Sequence, residues 1–431
     1  MASKIIIKDA TVITMQENNE VFETGDILIE DQCIRSVGTR VTDSGVDTTV
    51  IPGSGKVVIP GLINIHNHAA MSLFRSYADD YPLMTWLEKK IFPAEARLTA
   101  EDTYWGASLA IMEMIRGGTT TYVDMYFFMD QTAQACLESG MRAVLSQVFI
   151  GDNAVEGFNS LQDSKGFADR WQDAANGRIT SILGPHAPYT CSPAFLKKVL
   201  SETESSNIPI HIHLSESRQE VEQSLAAHSK TPVALMQEIG LFKRDVLAAH
   251  CVHVTDDDIE ILVANRVGIA HNPGSNLKLG NGIAPLKKMI DKEALVGLGT
   301  DGAASNNNLD MFEEVRLAGL LQKGLNEDPT SVTAGEALAL GTRGGAQALK
   351  KDNIGVLKEG AKADLAVINF RQPHLQPHNN AVANIVYSAG ASDVETVIID
   401  GKVLYDRGSF LTLDEERIYF EANRRSKRLR I

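Results

Sequence analysis

Cysteine is scarce in this chain. Its four cysteines, Cys33, Cys136, Cys191 and Cys251, are scattered and form no Cys-x-x-Cys pair. They offer no thiolate metal site and suit a reducing compartment. Long apolar runs are missing, so no segment is fit to span a bilayer. Residues 1–9 also lack the apolar region of a signal peptide. The expectation is a cytoplasmic protein with no membrane role. Positive charge is the minority: 41 Lys and Arg against 55 Asp and Glu leave a net charge of -14. That balance excludes nucleic acid or anionic membrane as the main partner, but not a small nucleoside without phosphate. Internal repeats and low-complexity stretches are absent as well. What is present is an ordinary globular composition, 44% hydrophobic and 22% charged, in 431 residues. That length suits one large and one small unit.

Up to about Ile59 the chain reads as short strands and turns. Segments 5–7, 12–14, 27–29 and 34–37 are β-rich, punctuated by Asp9, Asn18, Asn19, Gly25 and Asp31. From Val57 strand and helix signals alternate. Eight candidate strands follow, at 57–65, 119–124, 143–148, 179–183, 208–214, 246–249, 267–270 and 295–299. Between them Thr99 and Asp102 have capping-box spacing ahead of an apolar face over 107–115, closed by Gly117-Gly118. Ser192-Pro193 opens another helix, and Thr255 with three following aspartates a third. Near Gly355 short-strand signals return, at 355–360, 363–368 and 394–399, the last joined to 402–404 by the tight-turn pair Asp400-Gly401. Thr412 and Glu415 suggest a capping box for a final helix, and its basic tail, 424–428, reads as a solvated helix end.

The fold predicted is α/β. A distorted (β/α)8 TIM barrel covers residues 58–354, and a small β-sandwich domain is built from both chain ends, 1–57 and 355–431, the latter including the terminal helix. A doubly wound sheet is the rival, but its glycine-rich first turn is missing.

Barrel enzymes carry their chemistry at the C-terminal ends of strands. Of eleven histidines, seven fall at such ends: His66 and His68, His186, His211 and His213, His250, and His271. The eighth strand ends in Asp301. His66 and His68 share a strand face and can aim at one point. Three histidines and a carboxylate suit a zinc-like ion with a position left open for water. His66, His68, His213 and Asp301 are the expected ligands. His211 shares a face with His213, but His213 lies nearer the strand end. Glu216, three residues beyond His213, is placed as general acid/base, where an isolated glutamate would otherwise read as exposed. His250 is the candidate to hold water or an oxyanion, against the plainer role of a core histidine.

Together these residues resemble the amidohydrolase superfamily. The resemblance rests on Pro60-Gly61-Leu62-Ile63-Asn64-Ile65-His66-Asn67-His68, His213-Leu214-Ser215-Glu216, His250 and Thr300-Asp301-Gly302, with Gly355-Val356-Leu357 and Gly360-Ala361-Lys362-Ala363-Asp364-Leu365 near the end. Within it the chain is most similar to the 5′-methylthioadenosine/S-adenosylhomocysteine deaminases. The supporting stretches are Trp86-Leu87-Glu88, Phe92-Pro93-Ala94-Glu95, Gly184-Pro185-His186-Ala187-Pro188-Tyr189 and 271–279.

The resemblance implies hydrolytic deamination of an adenine nucleoside: methylthioadenosine, adenosylhomocysteine, 5′-deoxyadenosine or adenosine. It implies one divalent metal per subunit, Zn2+ ahead of Fe2+ or Mn2+. Glu216, His250 and Asp301 would move protons. Glu95 would bind the ribose hydroxyls, and Trp86, His186, Glu216 and Asp301 would also meet the substrate. A second metal is not expected, because 178–185 lacks the lysine that bridges two ions in binuclear relatives. One departure stands out. Near Gln147, just after the third strand, relatives that bind S-adenosylhomocysteine often carry an arginine, and 146–149 offers no cation there. Alternatives are a deaminase of guanine, cytosine or a pterin, or a triazine-type chlorohydrolase; Glu95 favours a nucleoside over both. The expected partner is a small molecule, with a homo-oligomer left open.

Overall fold

The computed structural model describes residues 4–17, 20–42, 48–151, 160–206 and 208–430. Asn18 and Asn19, expected at a turn, lie outside these residues. Both chain ends join in one hydrogen-bonded sheet. In spatial order its strands are Ser409–Phe410, Lys402–Asp406, Val394–Ile399, Leu365–Asn369, Lys56–Pro60, Lys4–Ile13, Val21–Glu30 and Cys33–Val37. Thr48–Pro52 also pairs with Lys4–Ile13. Ile7, Val12, Ile27, Val58, Leu365 and Ile398, drawn from both ends, are buried in one cluster. Asp400-Gly401 makes the expected hairpin turn, with φ of 53° and 75°.

Several local expectations change. Segments 5–7 and 12–14 are one strand, Lys4–Ile13, with shifted register around Asp9. Asp9 has φ 58°, and its N–H donates to Asp26 Oδ1 at 2.9 Å. Segment 355–360 is a loop, tied by Leu357 N–H to Thr14 O at 2.8 Å. The single strand expected at 57–65 is two. Lys56–Pro60 pairs with the chain-end sheet, and a new strand starts at Leu62. Gly61 is the crossing point. Its N–H donates to Asp364 O at 3.0 Å, and a Cβ there would sit 2.0 Å from Thr120 Oγ1.

The middle of the chain supplies eight short parallel strands: β1 (Leu62–Asn67), β2 (Thr119–Tyr126), β3 (Arg142–Phe149), β4 in two pieces (Ile179–Ser181 and Gly184–Pro185), β5 (Ile210–Leu214), β6 (Val246–His250), β7 (Gly268–His271) and β8 (Leu295–Leu298). β1 to β4 form one parallel sheet and β5 to β8 another. Backbone hydrogen bonds bridge β4 to β5, from Leu183 N to Pro209 O and from His211 N to Leu183 O, both 2.8 Å. Past the end of β8, Asp301 N donates to His66 O near the end of β1 at 2.9 Å. Ile63, Val123, Val144, Leu247 and Ala270, from five strands, and Ile182, between the two pieces of β4, share one buried cluster.

Helices fill the connections. α1 (Ala100–Arg116) starts with the expected Thr99–Asp102 capping box. α2 (Arg218–His228) is capped by Ser217, and the terminal α3 spans Glu415–Leu429. Thr412 does not cap α3. Its hydroxyl donates to Ser139 O, and Asp414 accepts the Arg417 N–H instead. Nor is the basic tail all solvated. Arg425 is 6% exposed and pairs with Glu101 and Asp102 at the start of α1, and Arg428 also reaches Asp102. These basic side chains therefore clamp one helix to another. Among the described residues, no helix is long and apolar enough to cross a membrane.

Candidate metal-dependent active site

The polar residues converge where the C-terminal ends of the strands meet. His66 lies in β1 and His68 just past it; His211 and His213 lie in β5; His250 ends β6; Asp301 follows β8. His250, Asp301 and Ser215 have φ of 74°, 59° and 52°. Non-glycine residues in the left-handed region are costly, and such strain gathers at functional sites.

The expected ligands face one another. His68 Nε2 is 3.1 Å from Asp301 Oδ1 and 3.3 Å from His213 Nε2, and His66 Nε2 is 3.4 Å from Asp301 Oδ1. The far nitrogens are occupied. His68 Nδ1–H donates to Met125 O at 2.6 Å and His213 Nδ1–H to His186 O at 2.7 Å. These bonds fix the tautomer that leaves Nε2 as a ligand lone pair. His66 Nδ1 lies 2.9 Å from His211 Nε2, so His211 stands behind His66 rather than among the facing donors. Asp301 Oδ2 accepts Ser275 and Ser305 hydroxyls at 2.6 and 2.7 Å. Asp301 Oδ1 and His66 Nε2 are buried without a hydrogen-bond partner. Orphaned buried atoms of this kind, both aimed at one point, fit a metal ion.

Charge agrees with that fit. Burial pushes His66 down to about 3 and keeps His213 well below its ordinary value, so both are neutral. Burial lowers His68 too, but the hydrogen bond and charge of Asp301 outweigh it and raise it to about 9. Burial would raise Asp301, yet His66 and His68 hold it well below the carboxylate range. A divalent ion among these donors would replace the proton on His68.

A cavity of about 640 Å3 opens beside these donors. His68, His213, Asp301, Glu216 and His250 line one part of it; Glu95, His186 and Trp86 line it too. All the predicted substrate residues are thus brought together. Glu216 is buried, which raises its carboxyl, and Oε2 is 3.9 Å from His250 Nε2. His250 Nδ1 meets Asn276 Oδ1 at 2.9 Å. Glu95 accepts the Tyr126 hydroxyl at 2.7 Å. Gln147 is turned away, its Oε1 accepting Met129 N–H at 2.9 Å.

Comparison with known proteins follows the same lines. The family model described as the amidohydrolase family matches residues 57–404. The chain belongs to the amidohydrolase family. This amidohydrolase is 51% identical over 416 residues to a 5-methylthioadenosine/S-adenosylhomocysteine deaminase of Dictyoglomus turgidum, covering 95% of this chain and 97% of the other. Among solved structures, an adenosine deaminase from Xanthomonas campestris with bound zinc superposes with TM-score 0.93 at 32% identity, over 99% of each chain. An atrazine chlorohydrolase from Arthrobacter aurescens complexed with zinc superposes with TM-score 0.90 at 25% identity, over 98% of this chain and 100% of the other. The family's TIM-barrel type of α/β fold and a divalent metal are therefore shared ground.

Other residues of the amidohydrolase site carry no sequence signal of their own. Ser275 reaches Asp301 from the short helix Pro273–Lys278 and Ser305 from a turn, and Asn281 Nδ2 donates to Glu216 Oε1 at 2.9 Å. Glu220 sits at the third position of α2, where a capping box would set its carboxylate on Ser217 N–H. Its carboxylate instead accepts the N–H groups of Ser215 and Glu216 at 2.9 and 2.8 Å.

Proposed function

We propose that the protein is a metal-dependent hydrolase that deaminates an adenine nucleoside to the inosine analogue and ammonia. The observation that carries this reading is one cavity lined by His68, His213 and Asp301, with His66 Nε2 3.4 Å from Asp301 Oδ1, a buried glutamate beside them and a second glutamate apart from them. His66, His68, His213 and Asp301 would hold the ion, with zinc favoured by three nitrogen donors and one oxygen and by the zinc-bound neighbours. When bound, it supplies Lewis acidity and lowers the pKa of water toward roughly 7.

The chain's own groups do the rest. Glu216 gives a proton to the ring nitrogen next to the attacked carbon, making that carbon electrophilic. Asp301 and His250 take up the proton that the attacking water loses. Glu216, now ionised, takes the proton of the newly added hydroxyl as the carbonyl forms and passes it to the amine as the C–N bond breaks, so ammonia leaves; the proton held by Asp301 and His250 returns to Glu216. Glu95 accepts the ribose hydroxyls, and His186 and Trp86 position the nucleoside. Leu83, Leu87, Ile91 and Phe127 also line the cavity, and Gln147 brings no cation to it. A neutral 5′ substituent is therefore favoured over the charged amino acid of adenosylhomocysteine.

We further read β1 to β8 as closing into a distorted barrel over 58–354. The chain-end sheet, 1–57 with 355–431, is read as a β-sandwich. The bridging hydrogen bonds and the two-ended buried cluster support this. The scattered cysteines support a cytoplasmic setting.

The test is ammonia release from a panel of methylthioadenosine, 5′-deoxyadenosine, adenosine, adenosylhomocysteine and guanine, with metal content measured beside it. We expect turnover of the adenine nucleosides, about tenfold lower kcat/KM for adenosylhomocysteine than for methylthioadenosine, and none of guanine. Guanine as the best substrate would defeat the nucleoside assignment. Glu216→Gln should abolish turnover with metal retained.

A further inference from the structure

Glu216 leaves β5 on an irregular turn, and its aim depends on contacts from outside β5. Ser215 is left-handed there. Three sets of hydrogen bonds hold the turn. Glu220, in the first turn of α2, takes Ser215 N–H on Oε1 and Glu216 N–H on Oε2. Ser215 O accepts Val252 N–H and His253 N–H at 3.0 and 2.9 Å. Asn281 Nδ2 donates to Glu216 Oε1 at 2.9 Å. Asn281 is fixed in turn: its N–H donates to Asn276 O at 2.8 Å, and His253 Nε2 donates to its carbonyl at 2.7 Å.

Glu220 is 4% exposed, and backbone N–H groups rather than a cation are its bonding partners. Burial pushes it up to about 7 against the pull of those N–H groups. Neither Glu220 nor Asn281 lines the cavity. A purely structural carboxylate gains little from being buried there. A carboxylate that fixes the neighbouring glutamate gains a geometry the reaction needs.

We propose that Glu220 and Asn281 are positioning residues for Glu216, and that they make Oε2 the oxygen that carries the proton. This rests on the reading of Glu216 as proton carrier. An amide nitrogen is a donor only, so the oxygen it meets must stay an acceptor. Oε1 is that oxygen. The proton is left to Oε2, on the side of His250. Glu220 has both oxygens engaged by backbone and takes no part in the relay itself.

Asn281→Asp keeps the side-chain shape and replaces the donor by an acceptor; Asn281→Ala removes both. Glu220→Gln keeps shape and turns one of the two acceptors toward an N–H as a donor. Each full-length variant is assayed with methylthioadenosine for kcat, KM and metal content. We expect kcat to fall about 10²-fold, with KM within about threefold and metal content unchanged. Asn281→Asp should be no better than Asn281→Ala. A packing role predicts the opposite order, with Asn281→Asp near wild type, and that result overturns the proposal. Loss of metal, or a rise in KM matching the fall in kcat, overturns it too. Glu216→Gln separates the two levels. Turnover by that variant removes Glu216 as carrier. An inactive Glu216→Gln beside fully active Asn281→Asp and Glu220→Gln removes only the positioning role.

Discussion

Glu95 is held by a tyrosine rather than by a cation, and this sets its pH behaviour. Burial pushes its carboxyl up to about 7, against the pull of the Tyr126 hydroxyl and of His68. In the proposed ribose-binding role, an ionised Glu95 would offer acceptor sites to both hydroxyls, and a protonated one would lose one. Binding should therefore be full above pH 7 and weaken as pH falls through that value. KM for methylthioadenosine is expected to rise roughly tenfold between pH 8 and pH 6. Glu95→Gln should flatten that limb, and a flat wild-type KM over the same interval would rule out the role. Glu95→Ala should harm nucleosides far more than free adenine. At this scale the sequence was readable where side chains share a strand end. His66 and His68 are two apart on one face, and Asp301 closes the last strand. Glu95, Trp86 and His186 stood out only through the family resemblance. Ser305 and Asn281 lie in loops that no spacing joins to their partners, and Ser275, though inside the 271–279 stretch, carried no role there.

Elements with a chemical start signal were legible; a break inside an apolar run was not. Thr99 and Thr255 cap the helices they precede, with capping boxes to Asp102 and Asp258. Thr412 failed because Asp414 offers a better acceptor two residues closer to α3. Residues 57–65 form one β-rich apolar stretch, and only tertiary packing shows that it serves two sheets. Gly61 makes the change possible by leaving room for Thr120. Gly61→Ala should therefore strain both sheets. A Cβ would lie 2.0 and 2.1 Å from Thr120 Oγ1 and Cγ2, and overpacking of this kind costs about 1–3 kcal/mol. The expected result is a lower denaturation midpoint, partly restored by Thr120→Ala, which removes those two atoms. An unchanged midpoint would mean that the crossing is looser than its geometry indicates.

Two polar ties across the molecule can be separated, one proposed and one observed. The first is the candidate ion, whose proposed ligands come from β1, β5 and the end of β8. Chelation should lower the melting temperature and zinc should restore it, because a ligand bound only to the folded state stabilises it by mass action. The second tie joins the strands of the barrel region to the chain-end sheet and contains no metal. Arg142, at the start of β3, donates from Nε to Asp364 Oδ2 at 2.6 Å and from Nη2 to Asp400 Oδ1 at 3.0 Å. Asp364 precedes one sheet strand and Asp400 sits in the hairpin turn, so one guanidinium fixes two connections of the chain-end unit. The three side chains are 6%, 2% and 10% exposed. Removing one member of a buried ion pair costs about 3–5 kcal/mol, because the remaining charge is stranded. Arg142→Met should lose about that much in chemical denaturation. The cost should not fall on Asp400 alone, since Lys362 Nζ stands 3.4 Å from it. Among the described residues Arg142 is the cation paired with Asp364, whose Oδ1 also accepts Asp400 N–H at 2.7 Å. Asp364→Asn keeps an acceptor for that N–H while removing the stranded charge. Arg142→Met combined with Asp364→Asn should then recover most of the loss. A single Arg142→Met within about 0.5 kcal/mol of wild type, the range of an ordinary surface change, would show that the two units are held by apolar contact alone.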